Sequence, residues 1–219
     1  HVDYSYDNYG RLDEVTNGRI QAITYSYNSA GRVSSYAYPY PSSTTVSYTY
    51  NDDGTVQQMV DSAGTTTYTY TDDRKIETVA YSYTGLTNTQ TVLYAYYPDG
   101  SLATLEWRNG ATSIATWTYE YDLAGRVSEV SNTFGESTTF SYDGEGKLVT
   151  QANSNNTTIG YTFNESRNWP NVITHAKGGI AFAEYTLKYD NGNNTVGNIT
   201  GITELDGSTV DYTFDDLYR

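Results

Sequence analysis

The sequence predicts an all-β fold in which tandem antiparallel β-hairpin repeats form a long curved or spiralling sheet. Three observations lead there. The 219 residues include 25 Tyr but only 5 Phe, 3 Trp and 1 Met, a usage that suits pleated, half-wetted surfaces. No window carries apolar residues at i, i+3, i+4 and i+7 over a length that would sustain a helix. Finally, two aromatics separated by one residue return roughly every 23 residues, each time followed by a turn signal, a basic residue and an aliphatic.

The first copy is Tyr4-Ser5-Tyr6-Asp7-Asn8-Tyr9-Gly10-Arg11-Leu12. In Tyr4 and Tyr6 the period-two geometry of a strand sends both rings to one face, leaving Ser5 on the wetter one. Asp7 starts a turn by bonding its own backbone, and Gly10 supplies the left-handed position. A second strand opens near Arg11-Leu12. Tyr25, Tyr27 and Gly31 repeat the arrangement, followed by Tyr48, Tyr50 and Gly54. Tyr68 and Tyr70 begin a weaker copy; Tyr94, Tyr96 and Gly100 begin the next. Tyr119, Tyr121 and Gly125 belong to the cleanest one, Tyr119-Glu120-Tyr121-Asp122-Leu123-Ala124-Gly125-Arg126-Val127. Phe140, Tyr142 and Gly146 follow, then Tyr161 with Phe163, Leu187 with Tyr189, and Tyr212 with Phe214. These positions are read as structural repeat positions.

The return to each new aromatic pair needs another turn. Asn17-Gly18, Asn109-Gly110 and Asp206-Gly207 are the strongest two-residue hairpin signals, with Ala63-Gly64 and Phe134-Gly135 in the same role. Residues 1–219 therefore read as a single array of about ten hairpins, cut within a repeat at both ends. Trp169-Pro170 and Gly178-Gly179 interrupt the pattern after Tyr161. The second strands pose a question of register: Leu12/Val15, Ile76/Val79, Leu102/Leu105 and Val127/Val130 are spaced i, i+3, which strict alternation puts on opposite faces. Either a bulge realigns them or both faces are covered.

The formal charge of −14 excludes nucleic acid and anionic lipid as natural partners, because both select basic surfaces. With no Cys, disulfides, thiolate metal sites and thiol nucleophiles are excluded. The longest apolar run, Ile180 to Ala183, is far too short for a helical membrane span.

The unit Tyr-x-Tyr-Asp-x-x-Gly-Arg-Leu/Val resembles the YD repeat of the Rhs family, which includes bacterial Rhs toxins, toxin-complex cocoon subunits and animal teneurins. The resemblance extends over nearly the whole chain and is strongest at Tyr4–Leu12, Tyr25–Val33 and Tyr119–Val127. It implies a β-strip coiled into a hollow shell, which encloses a polypeptide cargo in the toxins and serves as a cell-surface scaffold in teneurins. The Asp-Pro-x-Gly self-cleavage segment of the toxins has no counterpart in these 219 residues.

Candidate chemistry is sparse. The acidic turns Asn51-Asp52-Asp53, Asp72-Asp73, Asp143-Gly144-Glu145 and Asp215-Asp216 lack the spacing of a calcium loop. No carboxylate pair stands out for glycoside chemistry. His1 and His175 each lack a second ligand or a nucleophile, and no nucleophile or dinucleotide motif is present. Trp107, Trp117 and Trp169 could stack on sugars, and sequons stand at Asn155, Asn156, Asn164, Asn193 and Asn198. The expectation is a non-enzymatic structural segment without catalytic residues, metal or cofactor, extracellular or on the cell surface. Its expected partners are flanking repeats or identical copies, an enclosed polypeptide, or a glycan or cell-surface ligand. The alternatives are a self-assembling filament or adhesin subunit and a carbohydrate-binding aromatic surface.

Overall fold

The structure, a computed structural model, describes residues 1–38, 44–164, 167–190 and 197–215. Among these residues there is no helix, as the missing helical periodicity predicts. The chain divides into two compact units, His1–Thr116 and Trp117–Arg219.

The first unit contains β1 (Val2–Tyr6), β2 (Leu12–Asn17), β3 (Ala22–Tyr27), β4 (Val33–Tyr38), β5 (Thr44–Tyr50), β6 (Val56–Val60), β7 (Gly64–Tyr70), β8 (Ile76–Tyr83), β9 (Gln90–Tyr96) and β10 (Leu102–Asn109). Each pairs antiparallel with the next in sequence. β11 (Thr112–Tyr121) runs across the division. The second unit continues with β12 (Val127–Asn132), β13 (Ser137–Tyr142), β14 (Leu148–Asn153), β15 (Thr157–Phe163), β16 (Pro170–Lys177), β17 (Ile180–Tyr189), β18 (Ile199–Glu204) and β19 (Thr209–Asp211). From Trp117 onward the pairing is again antiparallel and sequential.

The i, i+3 aliphatics resolve as bulges. In β1–β2, Tyr4 faces Val15 and Tyr6 faces Leu12, so Asp13 is the extra residue. Tyr68 faces Val79 and Tyr70 faces Ile76; Tyr119 faces Val130 and Tyr121 faces Val127. One extra residue in the second strand restores both aliphatics to the face that carries the rings. The same shift recurs in β3–β4, β5–β6, β9–β10, β13–β14, β15–β16 and β17–β18.

Each unit buries one face of its ladder, and buries it thinly. The rings of Tyr-x-Tyr are half-buried in most repeats, whereas the residues between them, such as Ser26, Thr49, Thr69 and Ser141, are exposed. Thr66 and Ala115 are fully buried, and Val46, Val79 and Ala176 are nearly so. With so few buried aliphatics, much of the cohesion must come from the aromatic positions and the backbone ladder.

Several turns differ from the sequence reading. At Asn17-Gly18 the left-handed residue is Ile20, with φ 61°; its amide donates to Asn17 O at 2.9 Å, so the loop is longer than two residues. Gly64 is the first residue of β7, not a turn residue. A Cβ there would meet the Tyr83 Cα at 2.6 Å as well as the Ser82 carbonyl, so Gly serves close strand approach. Gly178-Gly179 continues the pattern: both residues have positive φ, 58° and 81°, and make the tight turn between β16 and β17. The Trp169-Pro170 segment also keeps register, because Pro170 pairs with Phe163 at the bulge position. Tyr212 and Phe214 lie beyond the end of β19 and are 43% exposed, because no strand among the described residues covers them.

Candidate functional site: the seam between repeats

The second aromatic of each pair is where one repeat meets the next. Following the Asp turn, the basic residue and the aliphatic are adjacent in sequence, at the bulged start of the second strand. Arg11 lies over the Tyr27 ring at 4.3 Å, and the Tyr27 hydroxyl donates to the carbonyl of the neighbouring Leu12 at 2.6 Å. Two consecutive residues of one repeat therefore grip the face and tip of a ring from the following repeat.

The first unit repeats this grip. Arg32 lies 5.6 Å from the Tyr50 ring centroid, and the Tyr50 hydroxyl donates to Val33 O at 2.6 Å. Lys75 and Ile76 hold Tyr96 in the same way, at 5.2 Å and 2.8 Å. Tyr70 keeps only the hydroxyl bond, to Val56 O at 2.8 Å, because Thr55 stands in the basic position. In the second unit Arg126 lies over Tyr142 at 4.4 Å and the Tyr142 hydroxyl reaches Val127 O at 2.8 Å. The Tyr189 hydroxyl donates to Pro170 O at 2.7 Å, and its ring packs on Trp169 at 4.9 Å.

This pattern gives a reason for Tyr over Phe at the second position of the pair. A bulge disrupts the local ladder, and the phenol supplies a donor to the carbonyl there, which Phe cannot do. Phe163 is informative: it sits under Lys147 at 5.0 Å without a hydroxyl to offer Leu148. An open groove of about 610 Å³ lies there, lined by Tyr161, Phe163, Lys147 and Asn168 among others.

The Asp and Gly positions serve the same seam. Asp7 Oδ1 accepts the Tyr9 and Arg11 amides at 2.8 and 2.9 Å, and Oδ2 accepts Arg11 Nε at 2.7 Å. The aspartate thus closes its turn and aims the guanidinium. Asp122 does this for Arg126, with Oδ2 2.7 Å from Nε. Hydrogen bonds and charge from Arg126, then the Ala124 amide, hold the Asp122 carboxyl below its usual range. In Asp7 desolvation pushes upward, but the Arg11 and Tyr9 bonds prevail and the net shift is downward. Asn28 makes only the two amide bonds, to Ala30 and Arg32, each at 3.0 Å.

Gly10, Gly31, Gly54, Gly100, Gly125 and Gly146 all take positive φ between 76° and 92°, as the turn reading predicts. At Gly54 and Gly100 there is a second reason: a Cβ would strike the Arg32 guanidinium or the Lys75 ammonium of the preceding repeat. Where the repeat lacks Gly, Arg74 and Asn168 adopt the left-handed conformation instead, with φ 65° and 57°.

Not every repeat position joins a seam. Tyr4 and Tyr6 are 60% and 62% exposed. The first rings of the pairs mostly face aliphatics across the ladder, Tyr48 against Met59 and Tyr94 against Leu105. Of the other candidate side chains, His175 contacts the Phe182 and Tyr185 rings. Trp107 donates its N–H to Gln90 at 3.0 Å. The acidic turns cap their own loops: Asp53 accepts from Thr55 and Asp73 from Thr71; Asp216 lies outside the described residues. No group of three or more His, Asp or Glu among the described residues could hold a metal ion. No helix among them could cross a membrane. The seam was missed by sequence reasoning, although the fixed Gly-Arg-aliphatic order was its trace.

Comparison with known proteins agrees with this architecture. Solved chains of TcdB2-TccC3-TEV and TcdB2-TccC3-Cdc42 each superpose on the whole of this chain with a TM-score of 0.81 at 16% identity. TcdB2-TccC3 without its hypervariable C-terminal region gives 0.80. This chain spans 12% of the length of each of those chains, and at that identity the likeness is one of fold. No curated protein matches the sequence. The family model of the teneurin YD-shell matches residues 87–204, more than half of the chain, and the chain belongs to that family.

Proposed function

We propose that this chain is part of the wall of a YD-repeat shell, a non-catalytic scaffold that encloses a polypeptide or presents other domains outside the cell or on its surface. The seam is the observation that carries this reading. Its recurring chemistry is spent on neighbouring repeats: the Asp-oriented cation, the gripped ring and the hydroxyl all have their partners within the array. A surface dedicated to a small ligand would instead leave such groups convergent on a cavity. The family supports a shell, and the solved toxin-complex chains supply a fold precedent over the full length of this one. A charge of −14 supports a strongly hydrated surface with no affinity for nucleic acid.

Electron microscopy of the full protein that carries this segment tests the proposal. Hollow particles with this segment in the wall are the expected result. A solid particle, or unbranched threads of uniform width, would overturn it.

A further inference from the structure

We propose that Tyr36 and Tyr48 form a built-in site of oxidative cross-linking, at which a one-electron oxidant joins β4 to β5 through a dityrosine bond. The observation is a tyrosine out of pattern. Elsewhere the residue three after the bulge aliphatic carries no aromatic ring: it is aliphatic in Val15, Val79, Leu105 and Val130, a thioether in Met59 and a polar amide in Gln151. There it separates the rings of successive aromatic pairs. In β4 that position is Tyr36, directly opposite Tyr25 in the register. Its ring centroid lies 6.1 Å from that of Tyr25 and 6.1 Å from that of Tyr48, with interplanar angles of 43° and 38°. Tyr38 stands edge-on to it at 5.4 Å. Three strands thus carry neighbouring phenols; Tyr81 and Tyr83 on β8 make another ring contact at 5.8 Å, whereas Tyr36 and Tyr48, on adjacent strands, also meet hydroxyl to hydroxyl.

The pair Tyr36 and Tyr48 is the better placed for coupling. The Tyr48 hydroxyl points to the Tyr36 hydroxyl at 3.5 Å, so the oxygen-bearing edges of the rings converge, and with them the ortho carbons that would couple. Both rings are half-buried, reachable by electron transfer and less open to other molecules than an exposed ring. Their strands are held in place by the β4–β5 ladder, which keeps the two radicals at coupling distance.

The chemistry balances with hydrogen peroxide acting through a haem peroxidase. Each phenol loses one electron and its hydroxyl proton, giving two phenoxyl radicals, while one peroxide is reduced to two waters. The radicals pair at carbons ortho to oxygen to form a C–C bond. The two ring hydrogens at those carbons then shift to the oxygens, restoring both aromatic rings. The product is lighter by two hydrogen atoms.

The test treats the folded chain with peroxidase and hydrogen peroxide at high dilution, then maps cross-linked peptides by mass spectrometry and reads dityrosine fluorescence. The expected product is monomeric, lighter by two hydrogens, and joined at Tyr36–Tyr48. Tyr36→Phe, which retains the ring but cannot form a phenoxyl radical, reduces that cross-link to background, and Tyr83→Phe leaves it unchanged. Circular dichroism of Tyr36→Phe establishes that its fold is kept. Cross-links spread evenly over the tyrosines, an equal yield from urea-unfolded chain, or an undiminished yield in Tyr36→Phe would each overturn the proposal.

Discussion

Two opposite substitutions in neighbouring repeats isolate the seam hydroxyl. Tyr142→Phe removes the donor that reaches Val127 O at 2.8 Å while keeping the ring under Arg126. A hydrogen bond of this kind contributes about 0.5–1.5 kcal/mol net, and a carbonyl left without its donor adds to the loss. The site is part-buried, so water replaces some of that donor, and the expected cost is about 1 kcal/mol. Phe163→Tyr makes the reverse change. Phe163 faces the bulge residue Pro170 as Tyr142 faces Leu148, and the added hydroxyl would reach the Leu148 carbonyl. The expected gain is about 0.5–1 kcal/mol. Urea denaturation reads both: with a slope near 2 kcal/mol per molar, the midpoints move by about 0.5 M in opposite directions. If both substitutions are neutral, or if Tyr142→Phe stabilises, the hydroxyl does not hold the seam and the explanation of Tyr over Phe fails.

Other outcomes follow from the same geometry. Gly54→Ala adds a collision with Arg32 to the strain of φ 92°, whereas Gly207→Ala meets only open space at φ 84°. The second should cost about 1 kcal/mol and the first about 1.5–2, because Arg32 must swing away from the Tyr50 ring, measured as the difference in unfolding free energy; equal costs would remove the cation from the Gly54 contact. The depressed Asp122 carboxyl contributes stability that is present above the unfolded value, about 3.9, and is lost as pH falls through the folded value. Asp122→Asn should therefore flatten the acid limb of a melting-temperature profile, with the amide turn retained as at Asn28; an unchanged limb would refute this. Desolvation raises the Tyr70 and Tyr189 phenols, so their contribution is fully present below the unfolded value near 10 and is lost as pH rises through the folded one. Absorbance titration should show phenol ionisation delayed in the folded chain and completed on alkaline unfolding, and early, non-cooperative ionisation would contradict it.

The elements governed by local chemistry were legible in the sequence. Tyr-x-Tyr placed both rings on one face because strand geometry fixes the alternation, and Gly at the turn marked positive φ because few other residues adopt it cheaply. The i, i+3 aliphatics announced a departure from alternation, but only the pairing of Tyr6 with Leu12 and Tyr4 with Val15 shows it to be a bulge. Asn17-Gly18 misled because the left-handed residue is Ile20; local preference was overridden by the loop length the ladder needs. Gly178-Gly179 departs from the repeat pattern in sequence, yet a glycine pair is itself a tight-turn signal. The seam was the least legible part. Its contacts join residues such as Arg11 and Tyr27, which are neighbours only after the bulge and turn have set the strand offset. The composition, 25 Tyr against 5 Phe, carries no trace of that geometry.

The central claim is that a cation from one repeat and a ring from the next act as a unit. A double-mutant cycle at Arg126 and Tyr142, with Arg126→Met and Tyr142→Leu, measures this most directly by urea unfolding. The expected coupling is favourable and about 1 kcal/mol. Strict additivity of the two substitutions would contradict it and leave the repeats joined by the backbone ladder and the seam hydroxyls.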